Sequence, residues 1–343
     1  MAIDHILVIG FGGPEKQEDI DLFLQEVTRG LPIPPARIAE VKSHYERVGG
    51  RSPYNDYTIA LFDRLTERLR QMGIHLPVFL GMRNWHPFLK HTLQEIKRQG
   101  LKSGLGIVLA PHRSDNSFEK YLRNVAEAKI FVQAPQVEYA YLGPWFDHPK
   151  FIEAQADRVR QALAQKDKAA WSEAPILFCA HSIPVAMAKG CRYVEEFECS
   201  SRLVAQALGR TNWHMAYQSR SGDRAGRPAK QGGEEVPQHD GAAANPREPW
   251  LVPDVESKLQ ALKASGASKV ALVPIGFLCD NVEVLFDLDI EAKEEASKLG
   301  LDFVRVSTVM DHPAFVEMFA QLIGQALKAQ GAPKESLIVL GQG

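Results

Sequence analysis

The sequence predicts a doubly wound α/β protein made of two Rossmann-like units, each a parallel sheet covered on both faces by helices. Three observations lead there. Short apolar runs rich in Val, Ile, Leu and aromatic residues recur along the chain. Amphipathic stretches of helical period lie between most of them. The 343 residues suit two units of about 150 residues each. Apolar runs that are continuous rather than alternating are what strands buried on both faces require.

Taken in order, the runs predict strands over 5–9, 77–81, 104–110, 137–142, 176–180, 214–218, 270–275 and 303–308. Helical periodicity predicts helices over 56–72, 87–98, 150–164 and 255–264, among others. Strand followed by helix, repeated throughout, gives the doubly wound architecture. The prolines at 144 and 149 punctuate the pattern, so the first unit is placed at 1–150 and the second at 151–310, with 311–343 as a C-terminal segment. Residues 221–247 break the pattern. They are rich in Gly, Ala, Pro and balanced charge and cannot bury enough surface to offset the entropy of ordering, which predicts a mobile surface insertion. No short tandem repeat is visible.

Composition excludes several classes. Hydrophobic residues make up 45% and charged residues 24%, enough for a sizeable core, and the formal net charge is −2. No block of like charge favours nucleic acid or a membrane surface. The start, MAIDHILVIGFGGP, lacks the pattern of a signal peptide, and no apolar run would span a bilayer as a helix. Four scattered cysteines, Cys179, Cys191, Cys199 and Cys279, form no disulfide framework and no iron–sulfur ligation spacing. The expectation is a cytoplasmic protein without a transmembrane segment.

Three segments carry chemistry. Gly10-Phe11-Gly12-Gly13-Pro14 follows the first strand at the sheet edge where such folds bind ligands. Glu15 occupies the last position of G-x-G-x-x-G, and no Gly-Lys-Ser/Thr follows, so a dinucleotide or P-loop site is excluded. A tight turn and a ligand needing close backbone approach both remain open. His181 follows the strand 176–180, where a neutral imidazole can accept a proton or bind a divalent metal. A core role is equally compatible, and His112 ends another strand in the same way. Cys179 reads as a buried thiol. Finally, Glu283, Asp287 and Glu291 recur at i, i+4 and i+8, with Asp280 placed to cap the helix. An exposed acidic stripe is the plain reading. The apolar flanks and the mutual repulsion put a line of acids that guides cations or protons on equal terms with it.

These segments together resemble the ferrochelatase family. The resemblance runs through FGGP near the start, HYERVGGRSPYND at 44–56, GMRNWHPFL at 81–89 and IVLAPH at 107–112. It continues through FCAHSIP at 178–184, YQSR at 217–220, EPWLVPDV at 248–255 and VPIGFLCDNVEVLFDLDIE at 273–291. It covers nearly the whole chain outside 221–247, and the motifs occur in the family's order. It implies a chelatase-like pair of Rossmann-like domains around a porphyrin cleft, with the C-terminal segment packing back on the first. It implies insertion of Fe2+ into coproporphyrin III or protoporphyrin IX in haem biosynthesis, with release of two protons. It assigns His181 and Glu283 to catalysis and metal contact, Asp287 and Glu291 to a proton or metal relay, and Phe11, Tyr45, Ser52, Arg83 and Tyr121 to porphyrin binding. Asn281 stands where the family often has His, Phe11 where coproporphyrin-type enzymes place Tyr, and Thr28 and His44 where they often show Arg.

Fe2+ is then a substrate, with no resident cofactor and no [2Fe-2S] cluster. The partners expected are porphyrin and Fe2+, for a monomer working beside other haem-pathway enzymes. The rival readings are a non-catalytic haem or porphyrin carrier and a cobalt or nickel chelatase acting on another tetrapyrrole.

Overall fold

The computed structural model describes residues 2–219 and 249–329, so the expected insertion at 221–247 and the end of the C-terminal segment lie outside the described residues. Among the described residues, strands form where the apolar runs predict them. They are β1 His5–Gly10, β2 Val78–Met82, β3 Ser103–Val108, β4 Glu138–Tyr141, β5 Ile176–His181, β6 Trp213–Gln218, β7 Lys269–Val273 and β8 Asp302–Arg305. All pairings are parallel, and the strands form two sheets of order β2-β1-β3-β4 and β6-β5-β7-β8. The same order appears twice although the sequence shows no repeat. Backbone topology needs only matching apolar periodicity, and many residue sets satisfy it.

The central strands are sealed. Every residue of β1 is buried, as are all residues of β5 before His181. Helices Tyr54–Gln71, Leu89–Arg98, Pro149–Leu163 and Val255–Ala264 match their predicted spans within a few residues. Helix Leu89–Arg98 shows the cause plainly: Leu89, Leu93 and Ile96 are buried while His91, Gln94, Lys97 and Arg98 are exposed.

The last described helix, Pro313–Lys328, lies against both Tyr54–Gln71 and Pro149–Leu163, which tie it to opposite halves of the molecule. Its Phe315 and Phe319 pack edge-on to Trp145, at centroid distances of 5.8 and 5.4 Å, and Arg68 holds Glu317 at 2.6 Å. Such buried rings contribute roughly 1.5–3 kcal/mol each. The halves also meet at a stack of His44 on Phe286, with centroids 3.6 Å apart. Among the described residues, no helix is long and apolar enough to cross a membrane.

Candidate active site

The strand order decides where the site forms. In the first sheet the winding reverses between β1 and β3, and in the second between β5 and β7. Loops leaving such neighbours part in opposite directions and open a crevice beyond the carboxyl ends. All four strand ends supply walls to one cleft: Phe11 after β1, Leu109–His112 after β3, His181 at the end of β5, and Gly276–Cys279 after β7. The cleft holds a larger cavity of ≈ 310 Å³ and a smaller one of ≈ 150 Å³. They share Phe11, Tyr54, His181, Asn281 and Glu283.

His181 and Glu283 therefore stand where the cavities join. The imidazole Nε2 lies 3.7 Å from Glu283 Oε1, with each side chain about a third exposed (33% and 38%). That distance exceeds a hydrogen bond but leaves strong charge attraction once the ring is protonated. The ring's other nitrogen faces the Ser182 carbonyl at hydrogen-bond distance. A carbonyl accepts and cannot donate, so Nδ1 carries the proton and Nε2 of the neutral ring presents a lone pair to the cleft. The backbone is fixed around this choice. Tyr193 Oη donates to the His181 carbonyl at 2.8 Å, Ser182 N donates to the Gln218 carbonyl at 2.8 Å, and Ser182 Oγ donates to the Leu251 carbonyl at 3.0 Å. Gly276 permits the loop after β7 to cross close by, since a Cβ there would sit 2.6 Å from Ala180 Cβ.

His112, the other histidine at a strand end, differs in kind. It is buried, and burial drives its imidazole down to about 3. Ser200 Oγ lies 3.1 Å from its Nε2, and that hydroxyl has its own acceptors in the Phe146 and Glu196 carbonyls. His112 stays neutral and is a poor base, whereas His181 faces the cleft. Surroundings separate the two, which their strand-end positions alone could not do.

The aromatic wall is built from the glycine-rich loop. Phe11 N donates to Tyr54 Oη at 2.7 Å, and the Phe11 carbonyl accepts from Asn84 N at 3.0 Å. Gly12 has φ +88°, and a Cβ there would lie 2.9 Å from Trp85. Gly13 abuts Ser52 in the same way. The close approach that these glycines permit is to protein neighbours, while Phe11 faces both cavities. Arg83 lies over the rings of Phe11 and Tyr121, at 5.3 and 4.9 Å from their centroids. Tyr121 and Arg83 line the larger cavity, and Tyr45 and Ser52 the smaller. Tyr45 is buried against Phe23, and burial, then the charge of Glu283, pushes its phenol up. Ser52 is 3% exposed, and its hydroxyl accepts from Tyr54 N.

The acidic segment departs from expectation in detail. Asp280 does not cap the helix. It pairs with Arg305 at 2.9 Å and accepts from Thr308 Oγ1, and Arg305 also holds Asp289 at 2.7 Å. Asn281 caps instead, its Oδ1 accepting from Val284 N at 3.0 Å. An ion-pair partner on β8 draws the aspartate away, and the amide one residue later takes its place. Residues Val284–Ala292 are wound as a π-helix, a form enriched at functional sites. Glu283 and Asp287 both line the smaller cavity, and Asp287 is buried and accepts from Ser219 Oγ. Glu291, partly buried, is on the same helix and is not part of the cavity lining.

Cys179 and Cys279 are buried, and burial pushes both thiols up. Sequence reasoning missed Tyr54, Tyr193 and Met310 as parts of the cleft. Tyr54 sits in the RSPYND segment, while Tyr193 and Met310 carry no local signal, because separate helices and loops bring them in.

Two like-ordered parallel sheets, opposed switch-point crevices and a histidine–carboxylate pair between them define a two-lobed α/β protein. Its cleft is walled by aromatic side chains and can accept a proton at one imidazole. The fold is shared with SirB from Bacillus subtilis with Fe3+, at a TM-score of 0.54 and 12% identity, covering 97% of this chain and 98% of that one. At the level of sequence, the Ferrochelatase family profile matches residues 4–225 and 243–327. A ferrochelatase of Rhodopirellula baltica is 38% identical over 94% of this chain and 86% of its own. A coproporphyrin III ferrochelatase of Nocardia farcinica is 34% identical over 95% and 89%. The chain belongs to the ferrochelatase family.

Proposed function

We propose that this enzyme inserts Fe2+ into coproporphyrin III in haem biosynthesis, with His181 as the base at the reacting centre and Glu283 as its charge partner. The observation that carries the reading is the lone pair of His181 Nε2, set 3.7 Å from a carboxylate where two aromatic-walled cavities meet. The larger cavity falls within the roughly 300–1,000 Å³ of small-molecule sites. Its aromatic walls suit a macrocycle, and relatives at 33–36% identity named coproporphyrin III ferrochelatase support the choice of porphyrin.

The chemistry follows from these groups. A free-base porphyrin releases two N–H protons as it takes up one Fe2+. Phe11, Tyr54 and Tyr121 exclude water from the ring, so its nitrogens are met by His181 rather than by solvent. Nε2 takes one pyrrole proton, giving an imidazolium that Glu283 stabilises, or contacts Fe2+ as a neutral imidazole, and the remaining protons leave along the acidic wall to solvent. Asp287, hydrogen-bonded to Ser219, extends the acidic wall, with Glu291 beyond it on the same helix as the outer member of the relay. Fe2+ is a substrate here, and no resident metal or [2Fe-2S] cluster enters the scheme. The protein is read as a cytoplasmic monomer.

An anaerobic assay with Fe2+ and coproporphyrin III or protoporphyrin IX in parallel tests this. Multiple turnovers of iron coproporphyrin at the higher kcat/KM are expected. Binding without turnover would make the protein a carrier, and faster insertion of Co2+ or Ni2+ in competition would assign another metal.

A further inference from the structure

Arg83 borders a second hollow besides the cleft. A groove of ≈ 460 Å³ lies on its far side, between the end of helix Ile20–Thr28, the start of helix Leu89–Arg98 and helix Phe118–Phe131. Arg29, Arg83, Lys90 and Lys120 contribute cations to it, and Glu26 and Glu127 contribute acids. The acids are already engaged: Glu26 pairs with Arg29, and Glu127 accepts from Asn124 Nδ2 at 3.0 Å.

The remaining cations are not matched. Among the described residues, no carboxylate lies within ion-pair distance of Arg83, Lys90 or Lys120. Arg83 rests on two aromatic rings, and its buried Nε–H has no hydrogen-bond acceptor. Lys90 Nζ sits 5.2 and 5.7 Å from the rings of Phe88 and Phe131. Lys120 is partly buried, and its ammonium is pushed down by that burial and then by the nearby charges of Arg83 and Arg123, with Glu127 and Asp115 only partly opposing. Partly desolvated cations without a counter-ion are unfavourable, and an orphaned guanidinium N–H adds to the cost. An arriving carboxylate would supply the missing counter-charge, and a guanidinium suits its two oxygens.

We propose that this groove is an acid-recognition annex of the cleft: a carboxylate-bearing side arm of the bound macrocycle passes Arg83 and is held between Arg83 and Lys120, with Lys90 at the outer rim. The inference rests on the porphyrin reading of the cleft and adds to it a determinant of substrate class. Lys120, outside the cleft lining but one residue from Tyr121 on the same helix, becomes a specificity residue for acidic porphyrins.

Equilibrium binding of coproporphyrin III and of its tetramethyl ester, read by fluorescence quenching without iron, tests the annex. For Lys120→Glu, affinity for the acid should fall about tenfold, as loss of a charge-assisted contact predicts. Affinity for the ester should stay within about twofold, which also shows that the variant is folded. Lys120→Met should fall about threefold for the acid, and Lys120→Arg should restore it. Equal losses for acid and ester, or no loss for either, would overturn the annex while leaving the cleft assignment standing. Failure of the wild-type protein to bind either porphyrin would overturn the chelatase reading, and the annex with it.

Discussion

Replacing Glu283 with Gln keeps the side chain's size and removes the charge that faces His181. Across the observed 3.7 Å separation, a full ion pair is worth roughly 1 kcal/mol in a water-like medium and roughly 4 kcal/mol at an effective dielectric constant of about 20. Both side chains are about a third exposed, so screening by solvent brings the value to about 1–2 kcal/mol. If the imidazolium develops in the transition state, Glu283→Gln should slow metal insertion by roughly 5- to 30-fold. His181→Ala, which removes the base itself, should cost about 10²–10⁴-fold. The double variant should be no slower than His181→Ala, because Glu283 acts through the ring that is missing. Single-turnover appearance of metalloporphyrin absorbance under anaerobic conditions measures all three. Wild-type rates for Glu283→Gln, or multiplied losses in the double variant, would refute the coupling.

Two further predictions concern the scaffold. Gly12→Ala must place a side chain at φ +88° and 2.9 Å from Trp85, so it should destabilise by about 2–4 kcal/mol, combining left-handed strain with overpacking. Urea unfolding should show a lower midpoint at unchanged slope, and a shift equivalent to less than about 0.5 kcal/mol would contradict the packing. The second prediction is a pH dependence. Burial pushes the Glu196 carboxyl from 4.5 up to about 7, so the folded state keeps a proton that the unfolded chain releases, and stability falls as pH rises through that window. His112 acts oppositely, because its fall from 6.5 to about 3 makes stability rise with pH between those values. The two slopes offset one another where the windows overlap. Glu196→Gln should therefore gain stability relative to wild type between about pH 5 and pH 8, and a difference independent of pH would refute the burial argument.

Much of this protein was legible in one dimension. The runs at 5–9 and 176–180 became fully buried central strands, because continuous apolar character is a local property that parallel sheets demand. Helix 255–264 appeared where its periodicity placed it. The carboxylates at 283 and 287 share a cavity wall as their spacing suggested, even though the helix carrying them is wound as a π-helix. The cap was misplaced by one residue. Asp280 and Asn281 are both good caps by composition, and the choice was made by Arg305, a residue on another strand.

The sequence by itself determined the strand and helix pattern, the loop that carries Phe11 and the identity of His181 as a strand-end imidazole. The tertiary structure decided which histidine is chemically available. His112 and His181 end their strands alike, yet one is buried, neutral and bonded to Ser200, while the other presents a bare nitrogen to Glu283 across the cleft. Only the fold decided that Arg83 and Lys120, separate in the chain, line one groove. Local periodicity fixes what a segment can become. Desolvation and charge at a site are sums over neighbours from the whole chain, and those sums exist only once it has folded.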